Sequence, residues 1–288
     1  MGYLVRVLKI LALTLLIYFL IAYGTLPYLW RHYEHHPALE AVPKITNTNE
    51  GLSGDPLNIA LVGTKEELTK AYIAAGWYPA DPITLKTSLE IVASVALNRS
   101  YVHAPISNMY LFGKKQDFAF ELPVSKSPQK RHHVRLWQSS EHSPDGRPLW
   151  IGSATYDSRI GFNHYTGQVT HHIAPDIDQE RDKFLENLKK ANQLAEIYQV
   201  TGVGATIQGQ NGGGDWYYTD GELTVGVLSK NNVLQTQEPF MLPNPPTVNF
   251  KNRVLASMRT ILRRILQFSL EWTRLLVGNV GGFFVLKR

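Results

Sequence analysis

Between Ile10 and Trp30 the chain reads ILALTLLIYFLIAYGTLPYLW, 21 residues without a charge. This run constrains the fold more than any other feature. A bilayer core about 30 Å thick needs roughly 20 helical residues, and a segment apolar on every face cannot sit as a surface helix. Tyr23, Tyr28 and Trp30 lie at its far end, where aromatic belts gather. Gly24 and Pro27 loosen the last turn. Arg6 and Lys9 precede the run, and the positive-inside bias puts that end in the cytoplasm and the body outside; Arg31 on the other flank weighs the opposite way. Two rival readings stand. Ala22-Tyr23-Gly24 resembles a small-residue cleavage site of a removed signal peptide, although the apolar run continues past it. A buried core helix is the other rival.

The rest of the 288 residues has the apolar content of a folded domain: the whole chain is 44% hydrophobic and 18% charged. The expected layout is an anchor at 1–30, a linker at 31–53, one globular domain at 54–230, a second linker at 231–250 and a tail at 251–288. The net charge of +5 is uneven, because Lys251 to Arg288 holds eight Lys or Arg against the single acid Glu271. Val254, Met258, Ile261, Ile265 and Phe268 recur at helical spacing, with Arg259, Arg263, Arg264 and Arg274 on other faces. That pattern predicts a basic amphipathic helix bound to membrane lipid, or alternatively one packed back on the domain. A second span would bury Arg263, Arg264, Glu271 and Arg274, which is too costly. A basic tail beside a near-neutral body does not predict nucleic-acid binding. The absence of cysteine excludes disulfides, thiolate metal sites and cysteine nucleophiles.

The body predicts an α+β fold: a mixed, mostly antiparallel sheet with three or more helices, besides the membrane helix and the tail helix. A strand at Asn58–Gly63 is followed by Thr64-Lys65-Glu66-Glu67, a capping box opening a helix to Ala75, which Gly76 stops. A second helix fits Leu85 to Leu97. Strands are expected at Met109–Phe112, Asp117–Leu122, His132–Trp137, Leu149–Tyr156, Ile160–His164 and Gln168–Ile173. Asp176 or Asp178 caps a helix to about Leu194, and strands at Tyr198–Gln208 and Glu222–Leu228 flank the Gly-rich loop Gly209–Asp215.

Three stretches could carry chemistry: Lys130 to Arg135, Ser153 to Asp157, and His164 with Thr170 to Asp182. Strand alternation separates His132 from His133, which shares a face with Arg135. A two-residue turn at Thr166-Gly167 would put His164 and His171 on one face and His172 on the other. Each His-His doublet therefore offers one imidazole to a pocket. Three readings remain open. A metal site would draw on His164, His171, Asp157 and Asp176, with a divalent metal such as zinc as the cofactor, although no H-x-H or H-x-x-x-H spacing is present. An acid/base site would draw on His132, His133, Arg135, Asp157, His171 and His172. In a purely structural reading the histidines brace a hairpin and Asp176 is an N-cap. Walker, dinucleotide and G-x-S-x-G signatures fail on spacing or context.

Gly54-Asp55-Pro56-Leu57-Asn58, Ala75-Gly76-Trp77, Leu111-Phe112-Gly113 with Gln116-Asp117, His132-His133-Val134-Arg135, Ala154-Thr155-Tyr156-Asp157 and Thr170 to Asp178 together resemble the LssY C-terminal domain family, over roughly residues 52–230. The resemblance implies a bacterial envelope setting; with the charge bias around the anchor, the expectation is a single-pass inner-membrane protein with its domain periplasmic or extracellular. Similar domains accompany membrane modules such as DedA and type-2 phosphatidic acid phosphatases. Only an anchor precedes the domain here, so lipid-phosphatase activity is not carried over. The expectation is a hydrolase of a phosphorylated or anionic envelope molecule, whose ligand is an anionic small molecule or lipid. The alternative is a non-catalytic lipid-binding or assembly module.

Overall fold

The computed structural model describes residues 2–28, 39, 42–81, 106–124, 129–201, 208–257 and 260–261. Helix α1 spans Gly2–Phe19 and continues through a π-helical stretch, Leu20–Thr25, so that one helix of 27 residues runs from Gly2 to Tyr28. It begins a turn or two before the uncharged run and takes in Arg6 and Lys9, whose long stems can carry their charges outward. Its mean hydropathy of 2.4 suits a membrane span, and no residue in it is buried within the protein, which removes the core-helix reading. The π stretch directly precedes Pro27. A proline clashes with the carbonyl four residues back, and a widened turn relieves that clash. Thr14 Oγ1 donates to Ile10 O at 2.9 Å, so its hydroxyl needs no water.

The chain divides after Leu242 into two units. In the first, the short strands β1 (Ile45–Asn47) and β2 (Ser53–Pro56) open the domain. They fall within or next to the stretch expected as linker, and Leu39 is already core. Next comes β3 (Ile59–Val62), then helix α2 (Lys65–Ala74) with the predicted capping box. Glu67 N donates to Thr64 Oγ1 and Thr64 N donates to Glu67 Oε2. Gly76 takes φ +81°, a left-handed stop that a side chain would resist. The helix expected at Leu85–Leu97 lies outside the described residues.

Strands β4 (Tyr78–Pro79), β5 (Tyr110–Leu111), β6 (Lys114–Lys115), β7 (Phe118–Pro123), β8 (Arg131–His142), β9 (Pro148–Phe162) and β10 (Val169–Ile173) follow. Helix α3 (Ile177–Lys190) leads to β11 (Leu194–Thr201), β12 (Gln208–Gln210), β13 (Trp216–Tyr218), β14 (Glu222–Leu228) and β15 (Phe240–Met241). Among the described residues the main sheet runs β15-β11-β14-β3-β9-β8-β7-β4, with β10 also on β9. Its pairs are antiparallel except β14 with β3 and β11 with β15. The fold is thus α+β, mixed and mostly antiparallel.

Two expectations need correction. The strands expected at Leu149–Tyr156 and Ile160–His164 merge into one continuous 15-residue strand, β9, which ends at Phe162 and leaves His164 outside it. Helix α3 stops at Lys190, short of Leu194: Asn192 adopts φ +58°, and Leu194, although on the helical stripe, starts β11 instead.

Each face of the sheet carries a core. On one, α2 and α3 pack on Val134, Leu136 and Ile59. Tyr72 stacks on Phe120 with ring centroids 4.0 Å apart, and Trp77 meets Phe184 edge-on at 5.4 Å. On the other face Leu57, Ala60, Trp137, Ile151 and Leu223 pack with Leu39 and Leu111 beneath the small sheet β2-β1-β5-β6. Strand β9 holds both β3 and β10 along one edge. Asn58 fills the gap between them, donating from Nδ2 to Ala154 O (2.9 Å) and Ile177 O (3.0 Å) and accepting from Ala154 N at 2.8 Å. A fully buried amide thereby completes a ladder that β3 cannot continue.

In the second unit, residues 246–257 are helical. Phe250, Val254 and Ile261 are exposed. Arg259, Arg263, Arg264 and Arg274 lie outside the described residues, as does most of the expected tail.

Candidate functional site

The site grows from the pairing of β8 with β9. Arg131 lies opposite Asp157, His133 opposite Thr155 and Arg135 opposite Ser153. With a period of two these six side chains share one face, the one covered by β2. All six are nearly inaccessible, as are Glu121 on β7 and Asp55 on β2. Such burial of charge requires partners, and they are present. Arg131 donates from Nε to Asp157 Oδ2 and from Nη1 to Glu121 Oε2, each at 2.9 Å. Arg135 donates from Nη1 to Asp55 and from Nε to Ser107 O at 3.1 Å.

His133 sits at the centre. Arg135 Nη1 lies 2.8 Å from its Nε2, and the Thr155 hydroxyl contacts the same nitrogen. A guanidinium can only donate, so Nε2 of the neutral ring accepts and the ring proton sits on Nδ1, 3.2 Å from Asp157 Oδ1. Hydroxyl, imidazole and carboxylate thus lie in a row, joined at Nδ1 by proximity and not by a formed hydrogen bond. Burial alone would push the Asp157 carboxyl up. Contacts with His133, with His171 and with the Arg131 guanidinium outweigh it and hold Asp157 well below the usual carboxylate range. Asp55 behaves alike: burial and Asp157 raise it, Arg135 and His133 lower it, and the net direction is down.

A β-bulge brings in His171. Along the β9–β10 pair His172 faces Arg159, but Ile173 faces Asp157, so Ser158 is the extra residue. The bulge shifts the alternation of β9 and places Ile173, His171 and Val169 on the Asp157 side. Together with Asp55, Arg131, His133, Arg135 and Asp157, His171 lines a cavity of about 60 Å³, room for roughly two waters. Ser53, Gly54, Ser107 and Met109 form part of its remaining wall, and Asn163 with Asn211 and Gly213 of the Gly-rich loop forms another. That loop is tied down by Gly212 N donating to Ser53 O and by Asn163 Nδ2 donating to Gly212 O at 3.0 Å.

The predicted site residues therefore separate. His133, Arg135, Asp157 and His171 meet at the cavity. His132 points to the helix face, where Nδ1 contacts Glu180 of α3 and the ring lies against Tyr156. His172 bonds Asp215 Oδ1 at 2.7 Å and fastens the Gly-rich loop to β10. His164 is exposed in the hairpin loop. The hairpin itself is wider than the expected two-residue turn: Phe162 pairs with Val169, and Asn163 Oδ1 caps the loop by accepting from Tyr165 N and Thr166 N. Asp176 is the N-cap of α3. Among the described residues no three His, Asp or Glu side chains have metal-holding geometry. The donor set His164, His171, Asp157 and Asp176 is spread over the hairpin loop, the cavity and the N-cap of α3 and does not fit a metal.

Sequence reasoning missed Asp55, Arg131, Glu121 and Thr155 as site members. Arg131 had a signal, two residues before His133 on the same strand face. Asp55 stood only in the family motif Gly54 to Asn58 with no role attached, and Glu121 had no signal, since only sheet stacking and strand pairing bring them in.

A family profile described as LssY C-terminus matches residues 39–223. No curated protein and no solved structure matches the chain.

Proposed function

The chain belongs to the LssY C-terminus family, and from that premise and the buried cluster we propose a membrane-anchored hydrolase of the cell envelope acting on a phosphorylated or otherwise anionic group. The carrying observation is His133, with Nδ1 toward Asp157 and Nε2 toward the Thr155 hydroxyl. In that arrangement Nε2 takes a proton from a hydroxyl or a water, and Asp157 stabilises the imidazolium formed. Arg131 and Arg135 supply fixed positive charge for an oxyanion in a site shielded from solvent. His171 is the second imidazole at the cavity and donates to the leaving group. The small volume suits the reacting group of a ligand, with the remainder outside. Arg6 and Lys9 orient the anchor with its first turn in the cytoplasm and the domain outside the inner membrane.

The test uses the full chain in detergent with p-nitrophenyl phosphate and bis-p-nitrophenyl phosphate. His171→Ala and Asp157→Asn are expected to lose about 100-fold or more in turnover, with His171→Ala keeping its melting temperature. If the wild type hydrolyses neither ester faster than Asp157→Asn, the reading fails.

Two observations favour a second reading, a non-catalytic lipid-binding or assembly module. Both guanidiniums of the cluster are already paired to carboxylates, as in a structural network, and the helix at 246–257 leaves Phe250 and Val254 exposed. On that reading, removal of residues 251–288 weakens binding to anionic vesicles.

A further inference from the structure

The cavity wall continues outward into a hairpin whose tip is apolar and exposed. Phe162 and Val169 are cross-strand partners at the end of the β9–β10 ladder. They extend the side-chain row that begins with Ile173 and His171 at the cavity. Both are about 70% exposed (69% and 70%), Tyr165 in the loop is 66% exposed, and Trp216 is 58% exposed. Trp216 belongs to the same end of the molecule. It follows the Gly-rich loop that Asn163 and His172 hold, and Gly214 packs so closely on the His164 ring that a Cβ there would lie 2.6 Å from Nδ1. An ordered hairpin gains nothing from showing two aromatic rings, an indole and a valine to water.

We propose that the β9–β10 tip, with Trp216 beside it, is a membrane-interface contact that holds the polar cavity against lipid headgroups. Three observations select lipid as the occupant. The chain carries a helix of membrane-spanning length, Gly2–Tyr28, and β1 starts at Ile45. The intervening residues reach at most about 55 Å when fully extended, so the domain works within about one domain diameter of the bilayer. The exposed set is Phe, Tyr and Trp with a valine, the amphipathic rings that settle at headgroup depth. Residues 158–171 contain no acidic side chain but include Arg159, His164 and His171, which suits an anionic headgroup layer. This contact does not depend on the cavity being catalytic.

The chain has no cysteine, so one introduced thiol reports one position. Full-length protein carrying Tyr165→Cys, labelled with an environment-sensitive fluorophore, would be reconstituted in vesicles containing phosphatidylglycerol and spin-labelled lipid. The control is Ser140→Cys, exposed near the opposite end of the β8–β9 ladder. We expect the label at 165 to shift to the blue and to lose about half its emission to the spin-labelled lipid, as for groups about 5–10 Å into the interface, while the label at 140 does neither. Equal quenching at both positions overturns the proposal. So does a blue shift at 165 without lipid quenching, which would mean the tip meets protein.

Discussion

At the scale of residues, the centre of the molecule is a buried charge network beside a cavity with room for about two waters. Asp55, Arg131, Arg135, Asp157 and Glu121 each contribute a full charge from buried positions. Removing one member of such a pair leaves its partner uncompensated, at about 3–5 kcal/mol. Arg135→Met should therefore destabilise the protein by about that much through the stranded Asp55, measured by urea unfolding at neutral pH. The depressed carboxyls of Asp157 and Asp55 also set a pH dependence. A carboxyl lowered in the folded state adds stability above its unfolded value of about 4, and that stability is lost as pH falls from there toward the folded value. Unfolding free energy should thus decline steadily below about pH 4, and Asp157→Asn should flatten the decline. A slope equal to wild type in that variant would contradict the assignment. The histidine doublets were legible one residue at a time: period two alone separates His133 from His132 and His171 from His172. Which of each pair meets the cavity was not legible, because that depends on which face β2 covers.

At the scale of elements, local signals read well and long-range ones did not. The capping box at Thr64 is a four-residue pattern satisfied by the chain's own neighbours, and it formed as expected. Thr64→Ala should cost about 1 kcal/mol, read from thermal or urea unfolding. Strand β9 appeared as two strands because Asp157-Ser158-Arg159 has the composition of a turn; in the sheet, Ser158 is absorbed as a bulge, with its Oγ donating to His172 O at 2.9 Å. The apolar stripe runs on to Leu194, but α3 ends at Lys190 because Asn192 turns the chain. At Gly152 strands β3, β8 and β9 leave no room for a side chain. A Cβ there would lie 2.6 Å from Arg135 O and 3.0 Å from Ile59 Cγ1. Gly152→Ala forces backbone apart beneath Arg135. It should unfold the protein at a clearly lower temperature and disturb the cluster, whereas the same change at solvent-facing Gly2 should do nothing. Equal melting temperatures for the two variants would refute the close packing.

At the scale of the whole molecule, a membrane-length helix and an α+β domain share one chain. If the helix is retained as an anchor, the protein stays in the membrane pellet after alkaline carbonate extraction and its intact mass includes residues 2–28. A soluble product beginning near Thr25 would instead establish the cleaved signal peptide. The uncharged run determined, without help from the fold, a helix long and apolar enough to cross a membrane, since hydropathy over about 20 residues is a property of the segment itself. Alternation and caps likewise determined an α+β domain and the faces of its histidines. Tertiary structure alone decided the site. Asp55 reaches Arg135 across 80 residues of sequence, Glu121 reaches Arg131 through the pairing of β7 with β8, and a single bulged serine aims His171 inward. Those contacts follow from how strands stack and slip past one another, and no spacing along the chain encodes them.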